Sequence, residues 1–482
     1  MLGALLLLSC SRTLEPGLYR VNSASEEGFL RIGLDSLGKD SVRYYRNKGS
    51  LEADTLMVAL KAERGKASLS FPDGRVESVT LTPYEAPDFY RFTNREPYRD
   101  PSYSVDETHD LVYGRVTPGG DSDRKRVDLT MDIYCPEDGE ALPRPLLVVF
   151  HDGDFLSGDK RDSLLVEWCR HFASLGYVVS SVDYRQGYRR NVKDTDDVMF
   201  KALKDANAAV RFLLKRDSLM IHSDHIFAAG AGAGAITALN LAYIRDENLP
   251  EIIEEKDDTV IVTRETLLRG FEVRAVANFW GAVADTAILH NAKIPVISFH
   301  SQDDPVVPFG EGFPYADSGE KEEKGFFESA LDIFLSIFFP DVPAFRKMFG
   351  SGVIHRILKD GGVLSELHAF EGERHDLLRK EDGTVDYPLF DEMKEQTAAF
   401  FASRMDTSPV SLRQDPEDPQ VFIINNAEVE TCLWDVEGGV FLGMSDDTVR
   451  ILMFPDAPVH AVAVSGAYSS GLTFYQRLTV AD

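Results

Sequence analysis

The chain has 482 residues, more than the roughly 250–300 that a single hydrophobic core normally serves, so two or three domains are expected. A hydrophobic content of 44% with 10% aromatics is typical of globular proteins and argues against wholesale disorder. The formal net charge of −28 repels phosphates and anionic membrane surfaces, so nucleic-acid binding is disfavoured.

The first twelve residues, 1–12, read MLGALLLLSCSR and place an apolar run ahead of Cys10. The segment Leu7-Leu8-Ser9-Cys10 resembles the bacterial lipobox, in which the cysteine is lipidated and becomes the mature N-terminus. The resemblance implies a lipid-anchored protein of the bacterial cell envelope, on the periplasmic or surface face of the outer membrane. The alternative is a frayed apolar N-terminus. No other segment approaches the ~18 apolar residues of a membrane span, so lipid is the expected membrane anchor.

Residues 13–100 alternate polar and apolar side chains in short runs, separated by turn-forming segments such as NKGS and PDGR. A period of two with this punctuation predicts a small antiparallel β-domain. From residue 104 to residue 405 the pattern changes to strands that alternate with helices. The apolar run RPLLVVF is typical of a strand buried on both faces, and DDVMFKALKDANAAVRFLLKRD of an amphipathic helix. This alternation predicts a doubly wound α/β sheet.

The stretch DHIFAAGAGAGAITALNLAY, residues 224–243, predicts a strand, a tight turn and a helix. In α/β-hydrolases a turn of this kind has the form G-x-S-x-G and carries the nucleophilic serine at its centre. Gly230 and Gly234 supply the outer glycines, and Gly232 stands at the central position. The turn therefore has the pattern of a nucleophile elbow without a nucleophile.

The order of the segments over residues 104–405 resembles the esterase/lipase branch of the α/β-hydrolase superfamily, the carboxylesterase-like and acetyl or feruloyl esterase-like group. The residues that carry the resemblance are DIYCP, PLLVVFHDGDF, GYVVSSVDYR, DANAAVRFL, GAGAG, PVISFHSQDDPVVP and FEGERH. The resemblance implies that Asp304 is the acid and His375 the base of a catalytic triad, with Asp303 a lesser candidate for the acid. Chain order from the elbow to Asp304 and then His375 agrees with that fold.

The third triad position is not filled, because glycine has neither a hydroxyl nor a thiol. Backbone amides of Gly153 and Ala233 are the expected oxyanion-hole donors. The family commonly has H-G-G-G-F in the first of these loops, whereas this chain has HDGDF, residues 151–155. Carboxylates near a forming oxyanion oppose it electrostatically, although the two aspartate side chains can instead face solvent. Both departures predict that ordinary serine-type hydrolysis is absent.

Residues 310–352 form an insertion with an acidic patch, GEKEEK, and a crowded aromatic segment. It is either a lid over the pocket or a helix packed on the hydrolase domain, and the sequence favours neither. Residues 406–419 read as a polar linker with Pro and Ser. Residues 420–482 are short alternating strands that resemble a PKD-like, immunoglobulin-like β-sandwich.

Together these features predict a catalytically silent esterase-like lipoprotein, in which an α/β-hydrolase domain is flanked by an N-terminal β-domain and a C-terminal Ig-like β-sandwich. The expected partner is a small ester-like or glycan ligand, or an envelope protein, and neither a cofactor nor a metal is expected. One alternative is an active carboxylic-ester hydrolase that uses His375 and Asp304 with a non-standard nucleophile. A His–Asp pair joined by Asp303 or Asp154 can also hold a metal. A third is that Gly232 replaces a natural serine, against which the neighbouring HDGD argues.

Overall fold

The computed structural model describes residues 17–22, 27–34, 40–63, 66–84, 96–117, 126–137, 142–188, 192–249, 259–260, 262–268, 270–314, 346–380, 382–405, 410–425, 428–445, 447–470 and 472–480. The chain divides into two compact units. One unit is Glu96–Asp406, and the other is made from both ends of the chain, Met1–Arg95 and Thr407–Asp482. Cys10 lies outside the described residues.

The N-terminal strands form a seven-stranded antiparallel sheet in the order β4-β3-β2-β1-β7-β6-β5. Alternate side chains such as Tyr19 and Val21 of the first strand are buried, because successive residues of a strand point to opposite faces. These side chains pack with Leu30 and Leu69 in one apolar cluster. The strands are β1 Gly17–Asn22, β2 Glu27–Leu34, β3 Asp40–Arg46, β4 Asp54–Met57, β5 Ala59–Glu63, β6 Lys66–Ser70 and β7 Val76–Pro83.

The unit Glu96–Asp406 is built on an eight-stranded sheet. Its strands are β8 Ser104–Val116, β9 Val127–Glu137, β10 Arg144–Phe150, β11 Val178–Val182, β12 Ile221–Ala231, β13 Val273–Phe279, β15 Val296–Ser301 and β18 Ser365–Phe370. Their order is β18-β15-β13-β12-β10-β11-β9-β8, parallel from β18 to β11 and antiparallel at β9 and β8. The apolar strand β10 is buried along its whole length, as its sequence predicts.

Helices cover both faces of this sheet. The described helices are α1 Ser163–Ser174, α2 Val192–Leu214, α3 Ala233–Tyr243, α4 Arg264–Leu268, α5 Ser351–Asp360 and α6 Tyr387–Ala402. On β12, Phe227 packs against Phe401 of α6, while the next residue, Ala228, joins the apolar cluster that includes α2 and α3. Since neighbouring strand residues face opposite ways, α6 and the α2–α3 pair lie on opposite faces. The sheet is therefore doubly wound, as predicted.

The ends of the predicted insertion 310–352 belong to a small sheet. Strands β14 Ala282–Val283, β16 Glu311–Gly312 and β17 Met348–Gly350 pair antiparallel in the order β14-β17-β16. The insertion thus starts and ends on adjacent paired strands of the unit Glu96–Asp406. Most of it, residues 315–345, lies outside the described residues, so the two alternatives, a lid or a packed helix, both stay open.

The C-terminal strands form two small antiparallel sheets, β19-β20-β23-β22 and β21-β24-β25. They are β19 Leu412–Gln414, β20 Val421–Ile424, β21 Val429–Glu437, β22 Gly439–Met444, β23 Thr448–Met453, β24 Ala461–Tyr468 and β25 Thr473–Thr479. Strand β19 lies inside the predicted linker 406–419 and pairs with β20. Residues 412–414 therefore belong to a sheet, and the predicted linker is corrected there. The Ig-like assignment of 420–482 stays a prediction.

The two end segments were predicted as separate domains, and the structure joins them in one compact unit. Phe29 and Tyr45 from the N-terminal sheet share an apolar cluster with Leu452 and Phe454. The rings of Tyr45 and Phe454 lie 4.2 Å apart, and the side chain of Gln420 donates to the Ser50 carbonyl at 2.8 Å. Local sequence patterns carry no information on contacts between residues some four hundred positions apart, which explains the difference.

Candidate active site

The candidate site is formed by loops at the carboxyl ends of the parallel strands. Asp152 follows β10, Gly232 follows β12, Trp280 follows β13, Asp304 follows β15 and His375 follows β18. Ligands of open α/β sheets bind at this edge, where loops from successive strands meet. The topology therefore brings together residues that are up to 223 positions apart in the sequence.

The elbow has the tight geometry that the sequence predicts. Gly232 has φ 47° and ψ −114°, a conformation that strains any residue with a Cβ atom. Helix α3 begins directly after it, at Ala233. A Cβ on Gly234 would collide with the Phe150 carbonyl, so this position needs glycine for the close approach of α3 to β10. The chain therefore makes a tight strand–turn–helix here, with glycine at the centre of the turn.

The acid and base positions lie in contact as the family resemblance implies. Nδ1 of His375 donates to Oδ2 of Asp304 at 2.9 Å. Asp304 is fully buried, and its Oδ1 accepts from the backbone amides of Val306 and Val307 at 2.7 and 3.0 Å. These amides fix the carboxylate, which in turn orients the imidazole. Asp303, the lesser candidate, is not needed for this pair.

His300 is a further partner of the acid, and sequence reasoning did not assign it to the site. Its Nε2 lies 3.2 Å from Oδ2 of Asp304, and its Nδ1 lies 2.7 Å from the Ser351 hydroxyl. The buried His300 ring therefore contacts the same Asp304 oxygen that accepts from His375.

The carboxylate of Asp152 occupies the space that a side chain at position 232 would need. A Cβ built on Gly232 would overlap all three atoms of the Asp152 carboxyl group. Oδ2 of Asp152 accepts from Nε1 of Trp280 at 3.2 Å and lies 3.4 Å from Nε2 of His375. The latter is a charge contact without a directed hydrogen bond. A carboxylate from the β10 loop thus fills the space above the elbow.

Both backbone amides that were predicted to form an oxyanion hole donate hydrogen bonds to the Asp152 carboxylate. Oδ1 of Asp152 accepts from the backbone amide of Gly153 at 2.7 Å and from that of Ala233 at 3.1 Å. The two amides therefore converge as the sequence predicts, and they hold a negatively charged oxygen of the protein itself. Asp152 therefore faces these amides, and the role of Gly153 and Ala233 as oxyanion-hole donors stays a prediction.

The charges at the site stabilise one another. Burial would lower the pKa of His375, but the flanking carboxylates of Asp152 and Asp304 raise it to about 10. Burial would raise the pKa of Asp152, but the contact and charge of His375, with the Gly153 amide, hold it well below its usual range. The pKa of Asp304 is likewise lowered, against the effect of burial, by His300 and His375. His375 is therefore an imidazolium between two carboxylates at neutral pH.

Sequence reasoning missed two contributions to this site. The indole N–H of Trp280 donates to Asp152, and the Trp280 backbone has φ 44°, which is strained for a residue that is not glycine. Sequence reasoning also did not predict that the Asp152 carboxylate accepts from the amides of Gly153 and Ala233. The only signal in the sequence was the pairing of HDGD with a glycine at the elbow.

A cavity of about 170 Å³ opens beside Asp152. Most of its wall is apolar, with polar groups near the elbow, as in many small-ligand sites. It lies between α1, α6 and the ends of β10, β12 and β13. The lining residues are Val149, His151, Asp152, Asp162, Leu164, Leu165, Trp168, Gly230, Ala231, Phe279, Trp280, Asp376, Leu378, Arg379, Phe390 and Met393.

Asp152, Asp154 and His375 also place ligand atoms within 4.8 Å of one another, an arrangement able to hold a metal ion. Two carboxylates and an imidazole suit Zn²⁺ or Mn²⁺. Metal binding would require His375 to release its Nε2 proton and would compete with the ion pair to Asp152. The sequence expectation of no metal remains a prediction.

Comparison with known proteins agrees with this architecture. Residues 131–293 match the model of the BD-FAE family. With the strand order, this match defines the unit as an esterase-like α/β-hydrolase domain.

Solved structures of esterase 2 from Thermogutta terrifontis resemble the chain. The form phosphorylated by paraoxon is 22% identical, with a TM-score of 0.41, over 63% of this chain and 96% of that chain. The apo form is 21% identical, with a TM-score of 0.40, over 66% of this chain and 99% of that chain. A comparison with curated proteins gave no significant match.

Proposed function

We propose that this protein is a catalytically silent, esterase-like member of the bacterial envelope that binds a small ligand or a protein partner. The observation that carries the proposal is the position of Asp152. Its carboxylate fills the space above Gly232 and accepts from both amides, Gly153 and Ala233, that an acyl-transfer intermediate would need. An ester carbonyl oxygen cannot enter the hole while Asp152 is in it.

The protonation of His375 supports the same conclusion. A general base needs a free lone pair, and a pKa of about 10 leaves His375 protonated at neutral pH. The proton is held by two carboxylates whose own pKa values are lowered in turn. The pair that would activate a serine in an esterase is here locked as an ion pair.

Among the described residues, Asp152 is the candidate in this site for the non-standard nucleophile of an ester hydrolase. Attack of a carboxylate on an ester carbonyl produces an anhydride, which is less stable than the ester, and expels an alkoxide that is a poorer leaving group than the carboxylate. The intermediate therefore returns to the starting ester. Asp152 does not replace serine in acyl transfer.

Hydrolysis of p-nitrophenyl acetate by the purified wild type and by a matched His375→Gln variant tests this proposal. We expect the two proteins to release p-nitrophenol at the same rate, because neither forms an acyl-enzyme. Turnover by the wild type that the variant loses would overturn the proposal, since it would show that His375 acts as a base.

The envelope location rests on the lipobox-like segment that ends at Cys10. No helix among the described residues is both long and apolar enough to cross a membrane. We expect a bacterial cell that expresses the full chain to incorporate labelled palmitate into the protein, and a Cys10→Ala variant to lose the label. Equal labelling of both proteins, or none of either, would contradict a lipid anchor at Cys10.

A further inference from the structure

The indole of Trp168 carries a buried hydrogen-bond donor in the wall of the cavity beside Asp152. Trp168 is 4% exposed, and its side chain lines this cavity. Its Nε1–H finds no acceptor among the residues that the structure describes. A buried N–H without an acceptor is costly, because it has given up its hydrogen bond to water. A group of this kind in a cavity wall indicates that a bound molecule supplies the acceptor.

Neighbouring rings fix the position of this indole. It stacks on Phe172 and meets Phe279 edge-on, each with ring centroids 4.9 Å apart, and its centroid lies 6.0 Å from that of Phe390. Closely packed side chains have little room to change rotamer. The Nε1–H therefore has to be satisfied where it lies.

The polar side chains of the wall near the elbow already have partners. The indole N–H of Trp280 donates to Oδ2 of Asp152, and Oδ1 of Asp152 accepts from two backbone amides. On His151, Nδ1 lies 2.7 Å from the carbonyl oxygen of Asp152, and Nε2 lies 3.3 Å from the side-chain amide of Gln186. None of these groups needs a ligand to complete its hydrogen bonds.

The remaining polar side chains of the wall are also engaged. Oδ1 of Asp162 accepts from two backbone amides in the first turn of α1, at 3.0 and 3.3 Å. Oδ1 of Asp376 accepts from the amide of Leu378 at 2.9 Å, and its Oδ2 lies 3.4 Å from Nε of Arg379. Within the described part of this wall, Trp168 is therefore the polar side chain that lacks a partner.

An apolar ligand suits the space beside Trp168 better than a water molecule does. A buried water needs two to four polar partners, whereas the indole is surrounded by the rings of Phe172, Phe279 and Phe390. The cavity volume of about 170 Å³ is close to that of a dry, apolar cavity of roughly 150 Å³ that holds benzene. The space therefore takes a molecule of about one six-membered ring.

The charges of the wall favour an uncharged ligand. Its described part contains the carboxylates of Asp152, Asp162 and Asp376 against the guanidinium of Arg379, which already faces Asp376. An anion would meet like charge in a largely apolar cavity, where charges are poorly screened. A cation would leave the Trp168 N–H unpaired, since it brings no acceptor.

We propose that this cavity binds a small uncharged molecule with an apolar ring and a hydrogen-bond acceptor, such as the carbonyl oxygen of a cyclic ketone. Trp168 is the recognition residue, because its Nε1–H donates to that oxygen while the apolar wall packs around the ring. The inference rests on the proposed ligand-binding function and names the chemical class of the ligand. It requires no reaction at Asp152 or His375.

The test uses cyclohexanone and methylenecyclohexane, which have nearly the same shape but of which only the ketone has an acceptor. The full chain has three tryptophans, so ¹⁵N labelling gives three indole N–H signals in NMR spectra. The Trp168→Phe variant keeps an aromatic ring, loses the N–H and assigns the Trp168 signal. The matched control is Trp434→Phe, because Trp434 does not line the cavity and its indole N–H donates to the Ser445 carbonyl at 3.2 Å.

We expect cyclohexanone to move the Trp168 indole signal downfield, as a new hydrogen bond does, and methylenecyclohexane not to. Titration gives the dissociation constants of both probes. In Trp168→Phe the ratio of the two constants should change by about 5- to 10-fold against the ketone, the effect of one hydrogen bond. Both probes lose the same packing in that variant, so the ratio isolates the hydrogen bond. In Trp434→Phe the ratio should stay at that of the wild type.

Three results would each overturn the inference. They are an unchanged ratio in Trp168→Phe, a Trp168 signal that cyclohexanone does not move, and tighter binding of cyclohexanecarboxylate than of cyclohexanone. None of them restores ester hydrolysis, so the silent-esterase proposal is still decided by the p-nitrophenyl acetate assay. Hydrolysis that depends on His375, together with Trp168-dependent ketone binding, would overturn that proposal and leave this ligand class in place.

Discussion

The site has two halves. The acid–base half is the pair Asp304 and His375, and the elbow half is the turn around Gly232. The two halves differ in how closely they match the geometry expected of an esterase. Asp304 and His375 make the contact that orients a catalytic base, with Asp304 supported by two backbone amides and His300. At the elbow, Gly232 has the strained backbone of a tight turn, but the carboxylate of Asp152 fills the space above it. The comparison teaches that the position of one carboxylate decides whether the space above the turn is open.

The two halves are joined by charge. His375 contacts a carboxylate on each side, and the carboxylate of Asp304 is fully buried whereas that of Asp152 is 29% exposed. A buried charge depends more strongly on its partner, because water does not replace the lost contact. Substitutions on the two sides should therefore have different effects on stability.

The difference between the two halves would be disproved if serine at position 232 alone gave esterase activity. In the structure a side chain at 232 collides with Asp152, so we expect Gly232→Ser by itself to be inactive and less stable. The double variant Asp152→Gly/Gly232→Ser frees the hole and supplies a nucleophile. It should hydrolyse p-nitrophenyl acetate ~10²-fold or more faster than the wild type, given the large effect of a complete triad.

Asp152→Gly alone is the control for that variant, because it opens the hole without adding a nucleophile. We expect its rate of p-nitrophenol release to stay at that of the wild type. If Gly232→Ser alone were as active as the double variant, the side chain of Asp152 would not block the elbow.

Removal of the charge at Asp304 tests how much the buried carboxylate contributes to the free energy of unfolding. We expect Asp304→Asn to lower the free energy of unfolding by about 3–5 kcal/mol, since a buried ion pair loses one partner. Urea denaturation followed by circular dichroism measures the change. A loss no larger than that in Asp152→Asn would contradict the ranking of the two carboxylates.

Removal of the charge at Asp152 should have a smaller effect on stability. We expect Asp152→Asn to cost about 1–3 kcal/mol, since charged hydrogen bonds to Gly153, Ala233 and Trp280 are weakened at a partly exposed site. The pKa of His375 should fall from about 10 toward its ordinary value. NMR titration of the imidazole checks this, and an unchanged pKa would show that Asp152 does not hold the proton.

The pH dependence of stability tests the protonation of His375 independently of any substitution at a carboxylate. The folded-state pKa of His375, about 10, lies above the unfolded value of roughly 6.5. Its contribution is therefore complete below pH ~6.5 and is lost as the pH rises toward ~10. We expect the free energy of unfolding of the wild type, relative to His375→Gln, to fall across this window. A flat difference would mean that His375 is not protonated in the folded state.

Much of the hydrolase unit follows from the sequence, because its elements are fixed by local patterns. The apolar run of β10, the amphipathic α2 and the glycines around 232 each indicate their structure without knowledge of distant residues. The positions of Asp304 and His375 came from a family resemblance, which carries geometry that periodicity does not. The structure brings the two side chains together at those positions.

The orientation of Asp152 and the joining of the two chain ends depend on contacts between distant residues, which local sequence patterns do not predict. Whether Asp152 faces solvent or the elbow depends on a space that exists only because residue 232 has no side chain. The joining of the two chain ends depends on the Tyr45 and Phe454 rings, each in a strand pattern that is equally compatible with a separate domain. Both outcomes are decided by packing between distant segments.

The most direct test of the central claim is the intact mass of the wild-type protein after incubation with a fluorophosphonate probe. We predict no stable phosphonate adduct, because neither Gly232 nor Asp152 can retain one at the elbow. The Asp152→Gly/Gly232→Ser variant serves as the positive control and should gain one adduct on the introduced serine. A stoichiometric, hydrolysis-resistant adduct on any residue of the wild-type site would contradict the account.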